Sequence, residues 1–257
     1  MRRESALRVG LVYPELLGTY GDRGNAVILV QRARWRGIPA ELVEVAAGEP
    51  IPDSLDLYCL GGGEDAPQHM AAAGMHASRA AIERAHARGA VVLAVCAGFQ
   101  LIGTRYVAAD GAVLEGIGLV DLQTRAGRFR LIGEVIVEPV PDGWGEPGPP
   151  PTLTGFENHG GRTTLGPGVA PLGTVLAGGG NGDSTDGTLA PRLVGTYLHG
   201  PVLARNPALS DRLLGWVTGP LPPLDSRYEE RLRAERLRAA ARRGIGKWFQ
   251  ERRLARG

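Results

Sequence analysis

A cysteine and a histidine close two apolar runs of this chain, and together they have the makings of a nucleophile and its base. Cys96 ends Gly89-Ala-Val-Val-Leu-Ala-Val-Cys96 and is followed by Ala97-Gly-Phe-Gln-Leu-Ile-Gly103. A valine-rich run of five or six residues fits a strand covered on both faces, as in a parallel sheet. Ala97 and Gly98 permit a tight turn into a helix, which gives a nucleophile elbow with cysteine in place of serine. A thiol at a helix N-terminus is biased toward the thiolate, the form that attacks carbonyl carbon. The plainer reading is a small buried cysteine, because free cysteine is often buried.

His199 follows Val194-Gly-Thr-Tyr-Leu198 and precedes Gly200-Pro201, so it too stands at a strand terminus. Two such ends on one sheet edge bring thiol and imidazole into hydrogen-bonding reach, as an activated cysteine requires. His159, in Gly155-Phe-Glu-Asn-His-Gly-Gly-Arg162, is the rival base. Cys59 lies inside an apolar strand pattern and reads as structural. His69, His76 and His86 fall at polar positions of a helical stretch, with spacing that makes no convincing metal site.

Two glycine-rich segments sit where such a site needs a backbone cradle. Gly61-Gly-Gly-Glu-Asp65 is not a Walker loop, because no Gly-Lys-Ser/Thr follows it there or elsewhere. Its better use is close approach of N–H groups to negative charge. Gly18-Thr-Tyr-Gly-Asp-Arg-Gly-Asn25 lies at the carboxyl end of a first strand, where open α/β sheets form ligand sites. A helix-capping turn around Asp22 and Asn25 is an equally good account of it.

The elements that must position these groups alternate in the α/β manner. Strands are expected at Leu7–Tyr13, Glu41–Val45 and Leu55–Leu60, with helices over Asn25–Gly37, through Val27, Leu29, Val30 and Trp35, and over Gln68–Gly89. Beyond Gly116 short β-branched runs (Arg130–Glu138, Leu153–Phe156, Thr163–Leu165, Arg192–Leu198) suggest antiparallel hairpins added to the parallel core. Pro139–Pro151 and Gly178–Gly187 read as mobile surface turns. The expected fold is α/β, a mostly parallel central sheet flanked by helices with an appended antiparallel strand region. Residues 1–224 form one domain in this reading, and 225–257 a basic C-terminal helical extension.

The 257 residues suffice for a sizeable core, and the net charge of +2 implies no general attraction to nucleic acid. From Asp225 onward there are 11 basic and 5 acidic side chains, which leaves the first 224 residues at about −4. That extension is a solvated face or a docking element. Two cysteines and no signal peptide point to a reducing cytoplasm. No apolar run approaches the roughly 18 residues of a membrane span.

Taken together, Tyr20-Gly-Asp-Arg-Gly-Asn25, Gly61-Gly-Gly-Glu-Asp65, Val95-Cys-Ala-Gly-Phe-Gln100, Gly155-Phe-Glu-Asn-His-Gly-Gly-Arg162 and Gly195-Thr-Tyr-Leu-His-Gly-Pro201 resemble the CobB/CobQ-type class I glutamine amidotransferases, whose fold is flavodoxin-like. Within these they are most similar to the glutaminase subunits of lipid II isoglutaminyl synthase. The resemblance spans about residues 7–225, and the first and fourth segments are its most restrictive. It implies that Cys96 attacks the side-chain amide of L-glutamine with His199 as base, and that Gly62 or Gly63, with Ala97, supplies the oxyanion hole. It also implies that Arg130 and Gln100 bind substrate, Arg128 competing for the carboxylate because it lies two residues from Arg130 on the same strand face.

Two departures stand out. The acid that many class I glutaminases carry two residues after the histidine is replaced by Pro201, so a carboxylate from a partner subunit is expected to orient His199, and isolated protein to hydrolyse glutamine poorly. Glu64 stands where glutamine is more usual. The resemblance further implies a heterodimer with a Mur-ligase-like subunit that holds ATP and Mg and reaches the lipid-linked acceptor; no cofactor, metal, nucleic acid or membrane insertion is expected in this chain. Other readings are a glutaminase for a corrin carboxylate, a non-catalytic binding relative, and a cysteine hydrolase unrelated to glutamine.

Overall fold

The computed structural model describes residues 5–141 and 150–239. Its elements in chain order are β1 (Leu7–Val12), α1 (Arg23–Trp35), β2 (Ala40–Val45), β3 (Leu57–Leu60), α2 (Asp65–Ala77), α3 (Arg79–Ala87), β4 (Val91–Val95), α4 (Ala97–Leu101), β5 (Arg105–Val107), β6 (Val113–Glu115), β7 (Leu122–Pro139), β8 (Leu153–Leu165), β9 (Gly173–Ala177), β10 (Thr185–Asp186), β11 (Thr188–Ala190), β12 (Leu193–Thr196), α5 (Val202–Arg205) and α6 (Pro207–Thr218). The first sheet runs β11-β12-β4-β3-β1-β2, parallel throughout except for the edge strand β11. Every residue of β3, β4 and β12 is buried, as expected of strands covered on both faces. A fully buried valine or leucine here contributes roughly 1.5–3 kcal/mol. The second sheet is mostly antiparallel, in the order β10-β9-β7-β5-β6 with β8 paired to β7.

Several elements differ from the sequence expectation, each for a visible reason. The run ending at His199 does form an antiparallel hairpin, β12 with β11, but the hairpin is not appended to the core: β12 also pairs in parallel with β4, Thr196 opposite Val95, inside the first sheet. Leu153–Phe156 and Thr163–Leu165 are two ends of one strand, β8, so Glu157–Arg162 is mid-strand. Gly161 in this stretch is there for contact: a Cβ would lie 2.5 Å from Gln100 Nε2 and 2.8 Å from the Tyr197 hydroxyl. The long helix breaks at Ser78, whose hydroxyl accepts a hydrogen bond from Ile51 N–H. In α1, Leu29 and Val30 face the core, whereas Val27 and Trp35 face solvent.

The segment Gly178–Gly187 is pinned, not loose. Glu157 accepts hydrogen bonds from the N–H groups of Gly179 and Gly180, and the Asn181 side chain bonds Thr185 and both backbone groups of Gly187. Most of Pro139–Pro151 lies outside the described residues. Residues 227–239 are helical, held to α1 and α6 by Arg32, which meets Asp211, Ser226 and Glu229; the rest of the C-terminal extension lies outside the described residues. Among the described residues no helix is long and apolar enough to cross a membrane.

Candidate active site

Cys96 stands between β4 and α4 with φ 52° and ψ −105°, a backbone that a residue with a Cβ adopts only under constraint. The constraints are visible. Its N–H donates to Thr196 O of the neighbouring strand, and Gly98 N–H donates to Gly61 O. Gly98 must be glycine, because a Cβ would approach Leu60 Cβ to 2.6 Å. The elbow is thereby locked to the strand that carries His199 on one side and to the glycine loop on the other. His199 is fixed in turn by two backbone hydrogen bonds with Phe156 of β8.

The two groups converge at Gly62. A Cβ placed there would lie 2.6 Å from His199 Cε1, 3.2 Å from Asp22 Oδ2 and 3.4 Å from Cys96 Cβ. Cysteine, histidine and a carboxylate therefore surround one backbone position, and only glycine leaves room for them. His199 Nδ1 donates to Asp22 Oδ2 at 2.9 Å, while its Nε2 is buried with no hydrogen-bond partner among the described residues. Burial by itself disfavours a charged imidazole; the bond to Asp22 and the nearness of the Cys96 sulfur outweigh it and raise the His199 pKa from 6.5 to about 10.

Asp22 corrects the expectation of an acid borrowed from a partner, for the acid that orients His199 is in this chain, 177 residues away in sequence. It occupies the N-cap position of α1, yet its side chain makes no capping hydrogen bond. Three contacts pair its loop with the segment after His199: Asp22 with the imidazole, Gly24 against Pro201, where a Cβ would come within 2.3 Å of the ring, and Asn25 Oδ1 accepting from Leu203 N–H. Pro201 is thus a packing residue in this chain. The signal was available: a polar loop at the carboxyl end of β1 faces the same edge as Cys96 and His199.

The other expected residues divide. Gly62 N–H donates to Asp22 Oδ2 at 2.8 Å, so this amide is engaged and is not an oxyanion donor as the structure stands; the amides of Gly63 and Ala97 make no hydrogen bond among the described residues. Gln100 is buried behind the elbow, its Oε1 accepting from Gln68 at 2.7 Å and its Nε2 facing the Tyr197 hydroxyl at 3.4 Å, which removes it from the substrate side. Arg130 and Arg128 do not alternate regularly, because the β7–β8 register shifts between Ala126 and Leu131 and the intervening residues bulge. Arg130 reaches Asn158 Oδ1 through Nε (3.1 Å) and Nη2 (2.9 Å), whereas Arg128 rests over the Phe129 ring. Asn158 Nδ2 donates to the Tyr20 hydroxyl, and the Tyr20 ring meets the His199 ring edge-on at 5.0 Å. Arg130 is therefore the arginine tied to the site.

His159 is packed away from the thiol, stacked on Tyr197 at 3.6 Å. Burial pushes the Cys59 thiol up to about 12, in keeping with a structural residue. Among the described residues no three metal-binding side chains converge. A cavity of about 350 Å³ opens at the opposite, amino-terminal edge of the sheet, lined by Asp53, Arg88 and Arg192, and contains none of the site residues.

Comparison with known proteins agrees with this geometry. The model of the CobB/CobQ-like glutamine amidotransferase domain matches residues 8–207. The chain is 38% identical over 201 residues, 77% of its length and 79% of the relative's, to the lipid II isoglutaminyl synthase (glutamine-hydrolyzing) subunit GatD of Staphylococcus aureus (strain N315). It is 34% identical over 212 residues, 81% of its length and 79% of the relative's, to the protein of the same name from Streptococcus pneumoniae (strain ATCC BAA-255 / R6). A cobyric acid synthase of Sphingopyxis alaskensis (strain DSM 13593 / LMG 18877 / RB2256) is 31% identical over 69% of this chain but only 35% of its own length. A crystal structure of a glutamine amidotransferase superposes with a TM-score of 0.55 at 18% identity, covering 81% of this chain and 98% of that one.

Proposed function

Because the chain belongs to the CobB/CobQ-like glutamine amidotransferase family, we propose that it is the glutamine-hydrolysing subunit of a lipid II isoglutaminyl synthase. The observation that carries the chemistry is the convergence of Cys96, His199 and Asp22 on Gly62. The Cys96 sulfur attacks the side-chain amide carbon of L-glutamine. His199, whose raised pKa favours the imidazolium, already holds the proton drawn from the thiol and gives it to the departing nitrogen, so ammonia leaves and a glutamyl thioester remains. Water, deprotonated by the same imidazole, then cleaves the thioester to glutamate and restores the thiol. Asp22 keeps His199 in the tautomer whose Nε2 faces the sulfur, and stabilises the imidazolium that forms. The amides of Gly63 and Ala97 are the donors left for the oxyanion, each worth about 3 kcal/mol of barrier. Arg130 presents a planar fork to the α-carboxylate.

The ammonia needs an acceptor. The names of the two isoglutaminyl synthase relatives, each matched over 79% of its length, support lipid II as that acceptor. In this reading a cytoplasmic Mur-ligase-like partner binds ATP and Mg, activates the D-glutamate α-carboxylate, and receives ammonia within a heterodimer to give D-isoglutamine. A corrin-directed role has weaker support, because the cobyric acid synthase is matched over about a third of its length.

A glutamine-mimicking diazo-ketone tests the first half: it is expected to alkylate Cys96 in stoichiometric amount and to abolish ammonia release, and an unmodified Cys96 would refute a glutaminase. Glutamine labelled with nitrogen-15 in its side-chain amide tests the second. Label should enter lipid II in the presence of the Mur-ligase-like subunit and ATP; its absence there, with hydrolysis intact, would reject the acceptor alone.

A further inference from the structure

Between Arg130 and His199 stands Tyr20. It precedes Asp22 by two residues and has φ 60°, a left-handed backbone that a residue with a Cβ holds only where its surroundings impose it. Its ring is wedged edge-on between His199, at 5.0 Å, and Phe156, at 6.2 Å. His199 is fully buried while Tyr20 is 38% exposed, so the phenol ring is part of the wall between the imidazole and solvent.

The other end of the same side chain reaches outward. The Tyr20 hydroxyl accepts from Asn158 Nδ2 at 2.6 Å, and Asn158 Oδ1 accepts from Arg130 at 2.9 and 3.1 Å. Arg130 lies on an exposed bulge, where a free guanidinium would sample many rotamers and lose them on binding. Asn158 removes much of that freedom in advance, and Tyr20 in turn fixes Asn158.

We propose that Tyr20 is a positioning residue with two ends: its hydroxyl, through Asn158, presets Arg130 for the carboxylate of glutamine, and its ring holds the His199 imidazole in place and shields it from bulk solvent. The role rests on the glutaminase reading. The ring face governs turnover, and the hydroxyl governs capture of substrate.

Steady-state hydrolysis of L-glutamine by the full chain separates the two ends. Tyr20→Phe keeps the ring and loses the hydroxyl; KM should rise about five- to ten-fold, the loss of one good hydrogen bond, with kcat within about two-fold of wild type. Tyr20→Ala also removes the wall, and kcat should fall about ten-fold or more. In an Asn158→Ala background Tyr20→Phe should no longer change KM, because the link it breaks is already gone. The same KM increase in both backgrounds, or a Tyr20→Ala chain with wild-type kcat and KM, would overturn the proposal. Stoichiometric alkylation of Cys96 by the diazo-ketone identifies variants that remain folded. An active wild type with unaffected Tyr20 variants defeats only this role, whereas a wild type that neither alkylates nor hydrolyses glutamine defeats the glutaminase reading and this role with it.

Discussion

His199 and His159 are both buried, and each faces a carboxylate, yet they are opposites in chemistry. His199 gives one nitrogen to Asp22 at 2.9 Å and leaves the other, among the described residues, without a hydrogen-bond partner beside the thiol. His159 has both nitrogens occupied, Nδ1 with Gly161 O at 3.1 Å and Nε2 with Glu157 at 3.4 Å, and one ring face covered by Tyr197. The acids differ in the same way. Glu157 already accepts from the N–H groups of Gly179 and Gly180, at 2.8 and 3.0 Å, so its charge is largely satisfied before His159 is considered. Asp22 meets Gly62 N–H and the imidazole with one oxygen and leaves Oδ1 without a partner among the described residues. The two ring pKa values move apart accordingly. Burial lowers that of His159 against weak opposition from Glu157, whereas at His199 the bond to Asp22 and the nearby Cys96 sulfur overcome burial. A histidine–carboxylate pair is thus no signature of a base; a free second nitrogen within reach of a nucleophile is.

The sharpest way to break this contrast is to exchange each imidazole for an amide. His199→Asn should lower kcat for glutamine hydrolysis about 1,000-fold, as loss of a general base does. His159→Asn should leave kcat within about three-fold while lowering stability by about 1–2 kcal/mol, through lost stacking and hydrogen bonding. Comparable losses of kcat at the two positions would mean that the second pair belongs to the reaction. The acids come next. Asp22→Asn should reduce kcat about 100-fold, and adding the proposed Mur-ligase-like subunit should not restore it, because the orienting carboxylate is internal. Restoration by the partner would reinstate a borrowed acid. Glu157→Gln should affect denaturant midpoints more than rates, by about 1–3 kcal/mol, since a neutral acceptor serves Gly179 and Gly180 less well.

Much of this contrast was legible in the sequence, but unevenly. Cys96 and His199 could be found because each ends an apolar run, and a run's end lies at a sheet edge whatever the order of strands. The adjacency of β4 and β12 could not, since short runs of Val, Leu and Gly fit parallel and antiparallel pairing alike; Arg192–Leu198 was expected among the hairpins for that reason. Asp22 was hidden by a good local explanation. An aspartate before a helical pattern is a cap by default, and only the crossing of two segments 177 residues apart shows its side chain turned elsewhere. Gln100 misled in the opposite sense: its place in the elbow motif suggested substrate, while its amide is held behind the helix by Gln68. The arginine choice turned on the bulge in β7, because strict alternation would have put Arg128 and Arg130 on one face.

The smallest expected effect is also the most diagnostic, because the two histidines should bend the pH dependence of stability in opposite directions. The His199 pKa is raised from 6.5 to about 10, so between those values the folded chain binds more protons than the unfolded one. Its stabilising contribution is complete below about pH 6.5 and is lost as pH rises toward 10. For His159 the folded value lies below 6.5, and there the unfolded chain binds more protons. Its contribution is present above pH 6.5 and is lost on acidification through the lowered value. Urea midpoints measured across this range should therefore decline on both sides for the wild type. His199→Asn should flatten the alkaline side only, and His159→Asn the acid side only. If either substitution flattened both, the two sites would be one coupled network joined through Tyr197, which lies between them in the chain and against the His159 ring, and the division between a catalytic and a structural histidine would have to be given up.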